Sequence, residues 1–256
     1  MIPNPTQRFT GRVESYRRYR PGYPVAIVDT LQRECGLSAE SVIADVAAGT
    51  GLFAEIFLAA GFAVTAVEPN DEMRAACAEL ESTYPKLRCV AGTAEATGLP
   101  DGSVDLITVA QAMHWFDLER ARAEFTRILK PGGWCAVIYN NRRFGGDLFH
   151  EAYERFLLEF GIDYSAVKDQ HMGRKRLAQF VAPSTMQCAG FPNAQALTLE
   201  GLRGRVMSSS YIPKEHHPRF AEMQAALERL FVENESGGTV TMVHESMVCY
   251  AQLNIR

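Results

Sequence analysis

The sequence predicts an α/β fold: a largely parallel sheet with helices on both faces. Three observations predict it. Between residues 25 and 140, short apolar runs alternate with amphipathic helical stripes. The first of these runs ends in a glycine loop. The last stripe stops at Pro131-Gly132-Gly133, and one more apolar run follows. Continuous apolar strands separated by helices are buried on both faces of a parallel sheet. Ligands of such sheets bind beyond the carboxyl ends of the strands.

The elements follow in order. Val42 to Val46 is a five-residue apolar strand carrying one acid. Phe53, Ile56, Phe57 and Ala60 then recur at helical spacing until Gly61 stops the helix. Ala63 to Val67 is the second strand. Asp71 is expected to cap the next helix, whose apolar face is Met73, Ala76, Cys77 and Leu80. Leu87 to Val90 and Val104 to Ala110 are further strands. Leu118, Ala121, Phe125, Ile128 and Leu129 form another stripe, and Trp134 to Tyr139 returns to the sheet. After Asn141 the pattern changes. A helix is expected over Leu148 to Phe160, then an irregular stretch around His171 to Arg176. Sheet elements resume near Ala194 to Leu199. A helix near Pro218 to Val232 and a final strand, Thr239 to Leu253 with a break, complete the chain.

With 256 residues and no dividing linker, residues 1–256 read as a single domain. Residues 1–24 and 142–190 read as segments lying over the sheet. The net charge of −4, from 26 basic and 30 acidic residues, argues against a dedicated nucleic-acid binder. The longest nearly apolar run, Phe57 to Val67, is well short of the roughly 20 residues that cross a membrane. MIPNPTQRFTGR lacks the apolar core of a secretion signal, so a cytoplasmic location is expected. The six cysteines are scattered without a close pair, and are expected to be reduced and packed as small hydrophobes. The pair His216-His217 has no third ligand in view, and no metal site is expected.

The loop after the first strand reads Asp45-Val46-Ala47-Ala48-Gly49-Thr50-Gly51. Its glycines allow close backbone approach to a ligand, and the next helix presents its first N–H groups there. Gly49-x-Gly51-x-x-Ala54, with Glu68 placed 19 residues after Gly49, fits a dinucleotide fingerprint and its ribose-binding acid. It fits S-adenosylmethionine equally well. Asp45 bears on the choice. A buried carboxylate needs a partner; a ligand ammonium or the loop N–H groups would supply one, and a pyrophosphate would repel it. Gly92-Thr93-Ala94-Glu95 with Leu99-Pro100 and Asp105, and Leu129-Lys130-Pro131-Gly132-Gly133-Trp134, are the other two features that bear on it.

Together these segments resemble the class I S-adenosylmethionine-dependent methyltransferases. DVAAGTG resembles that family's first motif, AVEP its second-strand acid, GTAEATGLPDGSVDLIT its next two segments and LKPGGW its fifth. The resemblance covers about residues 8 to 140. YRRYRPGYP and AQAMHWFD are similar to a subgroup with small-molecule methyltransferases of the trans-aconitate type. It implies a Rossmann-like, seven-stranded mixed sheet with helices on both faces and a helical lid insertion. It implies S-adenosylmethionine as cofactor and methyl transfer to a small-molecule acceptor, a carboxylate among the candidates. A dinucleotide-dependent oxidoreductase and a noncatalytic S-adenosylmethionine-binding protein are the alternatives.

The resemblance also assigns residues. Ala47, Gly49, Thr50 and Gly51 would let the loop pass the methionine part, with Asp45 near its ammonium group. Glu68 would accept the ribose hydroxyls, with Pro69 and Met73 beside it. Thr93, Ala94 and Glu95 would surround the adenine; relatives often carry an acid where this chain has Thr93, which leaves Glu95 as the nearby acid. Gln111 and Ala112 would line the sulfonium side. Tyr16 and Arg20 would reach the site from the amino-terminal segment. That segment mixes Arg8, Arg12, Arg17, Arg18 and Arg20 with Tyr16, Tyr19 and Tyr23. Such a mix can clamp a small carboxylate, stack on nucleic acid, or form a solvated helix face. His114, beside Trp115 and Phe116, is either a packed side chain or the catalytic candidate. An Asn or Asp followed by Pro-Pro and an aromatic, expected for amino methylation of a base, is missing after the fourth strand. So is a Pro-Cys nucleophile, and nucleic acid is therefore not the expected acceptor.

Overall fold

The computed structural model describes residues 11–165 and 174–253, with the side chains of 174–176 excepted. Arg8, the rest of residues 1–10, His171 and the other residues of 166–173 lie outside the described residues.

A seven-stranded sheet forms the centre, in the order β3-β2-β1-β4-β5-β7-β6. Its strands are β1 (Val42–Val46), β2 (Ala63–Val67), β3 (Leu87–Val90), β4 (Val104–Ala110), β5 (Leu129–Arg142), β6 (Gln187–Leu197) and β7 (Val240–Gln252). The first five pair in parallel, and β7 runs antiparallel between β5 and β6. The chain order reverses beside β1, where β4 adds on the opposite side from β2. That reversal opens a crevice at the carboxyl ends of β1 and β4.

Helices cover both faces. On one side, α2 (Ala26–Cys35), α3 (Ala54–Ala59) and α4 (Asp71–Ala78) bury Ile27, Leu31, Phe57 and Cys77 against Ile43, Val64 and Leu106. On the other, α5 (Leu118–Ile128) and α7 (Arg174–Val181) bring Phe125, Leu177 and Phe180 onto Ile107, Val109 and Val137. Burying a side chain of this size contributes about 1.5–3 kcal/mol. A third core lies to one side. There α6 (Leu148–Phe160), α8 (Leu199–Met207) and α9 (Phe220–Asn234) enclose Tyr153, Phe156, Leu157, Leu202 and Met223 with Leu197 and Met242. Residues 148–160 therefore have a hydrophobic core of their own. The amino-terminal helix α1 (Val13–Tyr19) crosses the open end of the sheet between α4 and α8. Among the described residues, no helix is long and apolar enough to cross a membrane.

Several expectations need correction. Asn70, not Asp71, caps α4; its Oδ1 accepts from Met73 N at 3.0 Å, leaving Asp71 in the first turn. Pro131-Gly132-Gly133 is not a loop before β5 but a bulge within it: Val104 faces Leu129, and the next pair is Leu106 with Trp134. β6 begins at Gln187, well before Ala194, and takes residues 187–190 from the expected insertion. It holds Pro192 because it is an edge strand, where a missing N–H costs no ladder bond. β7 continues without a break. Cys188 and Cys249 are not reduced thiols. They face each other across β6 and β7, 4.1 Å apart at Cα, and form a disulfide. Sequence separation had hidden the pair, because antiparallel register makes neighbours of residues 61 positions apart.

Candidate functional site

Two cavities open at the carboxyl ends of the central strands. The first, about 290 Å³, lies over β1, β2 and β4. Ala47 and Gly49 reach it from the loop after β1, and Glu68, Pro69, Asn70 and Met73 from the end of β2 and the start of α4. Thr93, Ala94 and Glu95 line one wall. Ala110, Gln111 and Ala112 line another, at the end of β4. Tyr16, Trp115 and Phe116 cover it.

The backbone turns sharply at both strand ends. Ala47 (φ 59°) and Gln111 (φ 61°) are non-glycine residues in the left-handed region, which costs of order 1–3 kcal/mol each. Both line the same cavity, so the strain sits where backbone must face a ligand. Gly51 (φ 83°) is fixed by packing instead: a Cβ there would come within 2.8 Å of Cys77 Sγ.

Glu68 is 7% exposed and held from two sides. Its Oε2 accepts from Gly49 N and its Oε1 from Asn70 N, both at 2.8 Å. Burial raises its pKa, while the Asn70 and Gly49 hydrogen bonds and Arg74 oppose the rise. Each oxygen keeps a second lone pair for a ligand donor. Glu95 is positioned by Asp117 N, which donates to its Oε1 at 3.0 Å.

Asp45 sits behind the loop, 1% exposed. Thr108 Oγ1 donates to its Oδ1 at 2.7 Å, and its Oδ2 has no partner. Burial pushes its pKa up to about 7, with the Glu68 charge adding to the rise and the Thr108 hydroxyl and the Ala54 backbone N–H opposing it. An orphaned, buried carboxylate oxygen below the glycine loop fits a ligand that carries an ammonium group.

The second cavity, about 400 Å³, adjoins the first and shares Tyr16, Gln111 and Trp115 with it. His114 lines this second space, with its ring 4.4 Å from Trp115 and 6.3 Å from Tyr139 between centroids. Arg20 also belongs here rather than to the first cavity. Asp45, Thr50 and Gly51 line neither cavity. The sequence reading missed Asn70, Ala110, Trp115 and Phe116 in the first cavity. It also missed Arg142, Tyr164, Arg205 and Tyr211 in the second. Phe116 could have been found from its place beside Trp115. Arg205 had no such signal, since its helix carries no motif.

α1 is nailed down at both ends. Gly11 N donates to Glu72 Oε2 at 2.7 Å, and Arg17 pairs with Glu79. Toward α8, Arg12 donates to Met207 O at 2.5 Å and to Ile212 O at 2.7 Å. Tyr19 OH donates to Glu200 at 2.9 Å, and Gln195 Nε2 to Tyr19 O at 3.2 Å. His217, one of the histidine pair, accepts from Arg219 N at 3.2 Å, beside the start of α9.

A glycine loop after β1 and an acid at the end of β2 meet at one cavity, beside the reversal in strand order. Residues 44–137 match the family model described as a methyltransferase domain. An uncharacterized methyltransferase of Mycobacterium tuberculosis is 38% identical over 134 residues, 52% of each chain. The chain thus spans about half the length of the curated relatives it matches. Solved structures share the fold. A candidate type II methyltransferase of Anaeromyxobacter dehalogenans superposes with a TM-score of 0.66 at 22% identity, covering 93% of this chain and all of that one. The phosphoethanolamine N-methyltransferase 2 of Haemonchus contortus, solved with phosphomonomethylethanolamine and S-adenosylhomocysteine, gives 0.58 at 14% identity, covering 96% and 58%.

Proposed function

We propose that this protein transfers a methyl group from S-adenosylmethionine to a small-molecule acceptor, a carboxylate among the candidates. The observation that carries the reading is the pair of adjoining cavities. One has the loop, the ribose-type acid and the adenine-type wall; the other is a separate room for an acceptor; and Tyr16, Gln111 and Trp115 stand at their junction.

When bound, S-adenosylmethionine supplies a methyl on a sulfonium and leaves as S-adenosylhomocysteine. The chain's own residues bind and orient. Glu68 accepts hydroxyl hydrogen bonds, and Asp45, which lines neither cavity, acts on an ammonium group only from behind the loop. Ala94 and Phe116 give apolar surface to a base, and Glu95 gives an acceptor to its amine. Gln111 and Ala112 set the wall that faces the acceptor. Tyr16 and Trp115 exclude water from the junction, which favours the compact, charge-dispersing transfer. A carboxylate acceptor needs no base; an acceptor that must lose a proton would find His114 lining its cavity.

Titration with S-adenosylhomocysteine, with NADH in parallel, tests the reading. S-adenosylhomocysteine should raise the melting temperature, because a ligand of the folded state stabilises it by mass action. A shift with NADH and none with S-adenosylhomocysteine would overturn the assignment. Transfer of labelled methyl to a panel of small acids then identifies the acceptor.

A further inference from the structure

Three arginines face the acceptor cavity: Arg20, Arg142 and Arg205. Arg142 is already neutralised. It pairs with Glu154, and its Nη2 reaches Tyr164 OH at 3.0 Å. The other two differ. Arg205, on α8, is 7% exposed; its Nη1 donates to Ser209 Oγ at 3.3 Å and its Nε has no acceptor. Arg20, just past α1, donates to Ser208 O at 2.8 Å and lies over the Tyr16 ring, and its Nε also has no acceptor. Among the described residues neither has a carboxylate partner.

Such an arrangement is costly. A buried guanidinium without a counter-charge loses hydration that nothing replaces. Burial, the Arg20 charge and then Arg142 together bring Arg205 down to about 10, and only Tyr153 and Tyr211 offset this. Two uncompensated cations that face one cavity ask for an anion from outside. Guanidinium forks match the oxygens of carboxylates and phosphates, two N–H bonds at a time.

We propose that Arg20 and Arg205 form an anion subsite for the acceptor, which is a small molecule of double negative charge, either two carboxylates or a phosphate monoester. This deepens the methyltransferase reading and rests on it. The charge follows from counting: two unpaired guanidiniums balance two negative charges. The subsite is also a latch. Arg20 belongs to the segment with α1, and Arg205 to α8. With the site unfilled, like charges oppose each other across that contact; an anion between them bonds to both. Tyr16, one helical turn before Arg20, lines the cofactor cavity as well. An anion there adds to the bonds that already hold α1, and with it Tyr16, over the first cavity.

The test uses the full chain saturated with S-adenosylhomocysteine. Sodium succinate and sodium phosphate are titrated by calorimetry, with sodium chloride at equal ionic strength as the control. One or both anions should bind where chloride does not, and binding should weaken by about tenfold or more in Arg205→Gln and in Arg20→Gln, the loss of one charged hydrogen-bond partner. Binding of succinate alone assigns a di-acid, and of phosphate alone a phosphate monoester. If Arg205→Gln does not fold, the half-exposed Arg20→Gln and the charge-keeping Arg205→Lys carry the comparison. The bound anion should also slow tryptic cleavage at Arg17 and Arg18 in the original chain and not in the variants. Neither anion exceeding chloride, or Arg20→Gln binding as tightly as the original, overturns the subsite. S-adenosylhomocysteine binding is read separately. If it persists while both anions fail, only the subsite falls; if the anions bind and it does not, the methyltransferase reading falls and the subsite stands.

Discussion

Glu68 Oε2 accepts a hydrogen bond from Gly49 N at 2.8 Å, which ties the end of β2 to the glycine loop after β1. The two parts of the first cavity are therefore held in register by an acid that also lines it. Glu68→Ala should weaken S-adenosylhomocysteine binding by about ten- to a hundredfold, since hydrogen bonds to a charged group contribute roughly 1.5–3 kcal/mol each. Glu68→Gln keeps an oxygen for one of its two backbone donors and should lose less. Calorimetric titration of both variants checks the order; equal affinity in all three proteins would place the ribose elsewhere.

The Asp45 carboxyl, lifted by burial to about 7, makes stability depend on pH. Its folded value lies above its unfolded one, so the folded chain holds this proton more tightly. The contribution is full below about pH 4 and is lost as the pH rises through about 7. It amounts to a few kcal/mol, at about 1.4 kcal/mol per unit. Urea unfolding of the ligand-free chain between about pH 5 and pH 8 should show stability falling relative to Asp45→Asn. Parallel curves for the two proteins would mean that Asp45 titrates normally.

Gly49 and Gly51 should fail differently. A Cβ at Gly51 meets Cys77 Sγ at 2.8 Å and Leu80 Cδ1 at 2.9 Å, on a backbone with φ of 83°. Gly51→Ala should therefore lose about 2–4 kcal/mol of stability from overpacking and strain. Gly49 also has positive φ, but its Cβ would meet nothing within 4 Å. Gly49→Ala should cost about 1–2 kcal/mol and lose more in cofactor affinity than in fold. Thermal melts paired with titrations separate the two.

Gly204 is the seat of α1. A Cβ there would run into the Tyr19 ring, so Gly204→Ala should lift α1 from α8 while the sheet and its two cores stay intact. Faster tryptic cleavage at Arg17 and Arg18, with a fall in melting temperature of only a few degrees, is the expected outcome. Unchanged cleavage would show that α1 does not depend on this contact.

The sheet's first five strands were legible as short, mainly apolar runs ending at a glycine or polar turn, as with Val42 to Val46, although β5 starts earlier than its apolar run. The site on those strands was legible for the same reason: Gly49, Glu68 and Gln111 stand at strand ends, at positions the local pattern fixes. What stayed hidden was set by tertiary pairing. Asn70 rather than Asp71 caps α4 because either residue suits the role, and only the backbone at Asn70 is extended. The 187–193 part of β6 contains Gly190 and Pro192, which argue against a strand in a sheet centre but are tolerated at an edge. Arg205 is invisible because a cation on a helix face is ordinarily solvated. It is buried among groups distant in sequence, with the charge of Arg20 and the ring of Tyr153 close enough to act on it.

The edge that β6 presents has a consequence for how copies of the chain can meet. An eleven-residue edge strand would ordinarily offer a row of backbone donors and acceptors to another chain. Here Pro192 removes a donor from the middle of the strand, and the Cys188–Cys249 bond staples its beginning to β7. A second copy cannot displace the strand while the staple holds, nor find an unbroken hydrogen-bonding rail along it. Extension of the sheet by a second copy is therefore opposed on this side, which leaves the short edge strand β3 and the helical faces as the surfaces on which copies can meet.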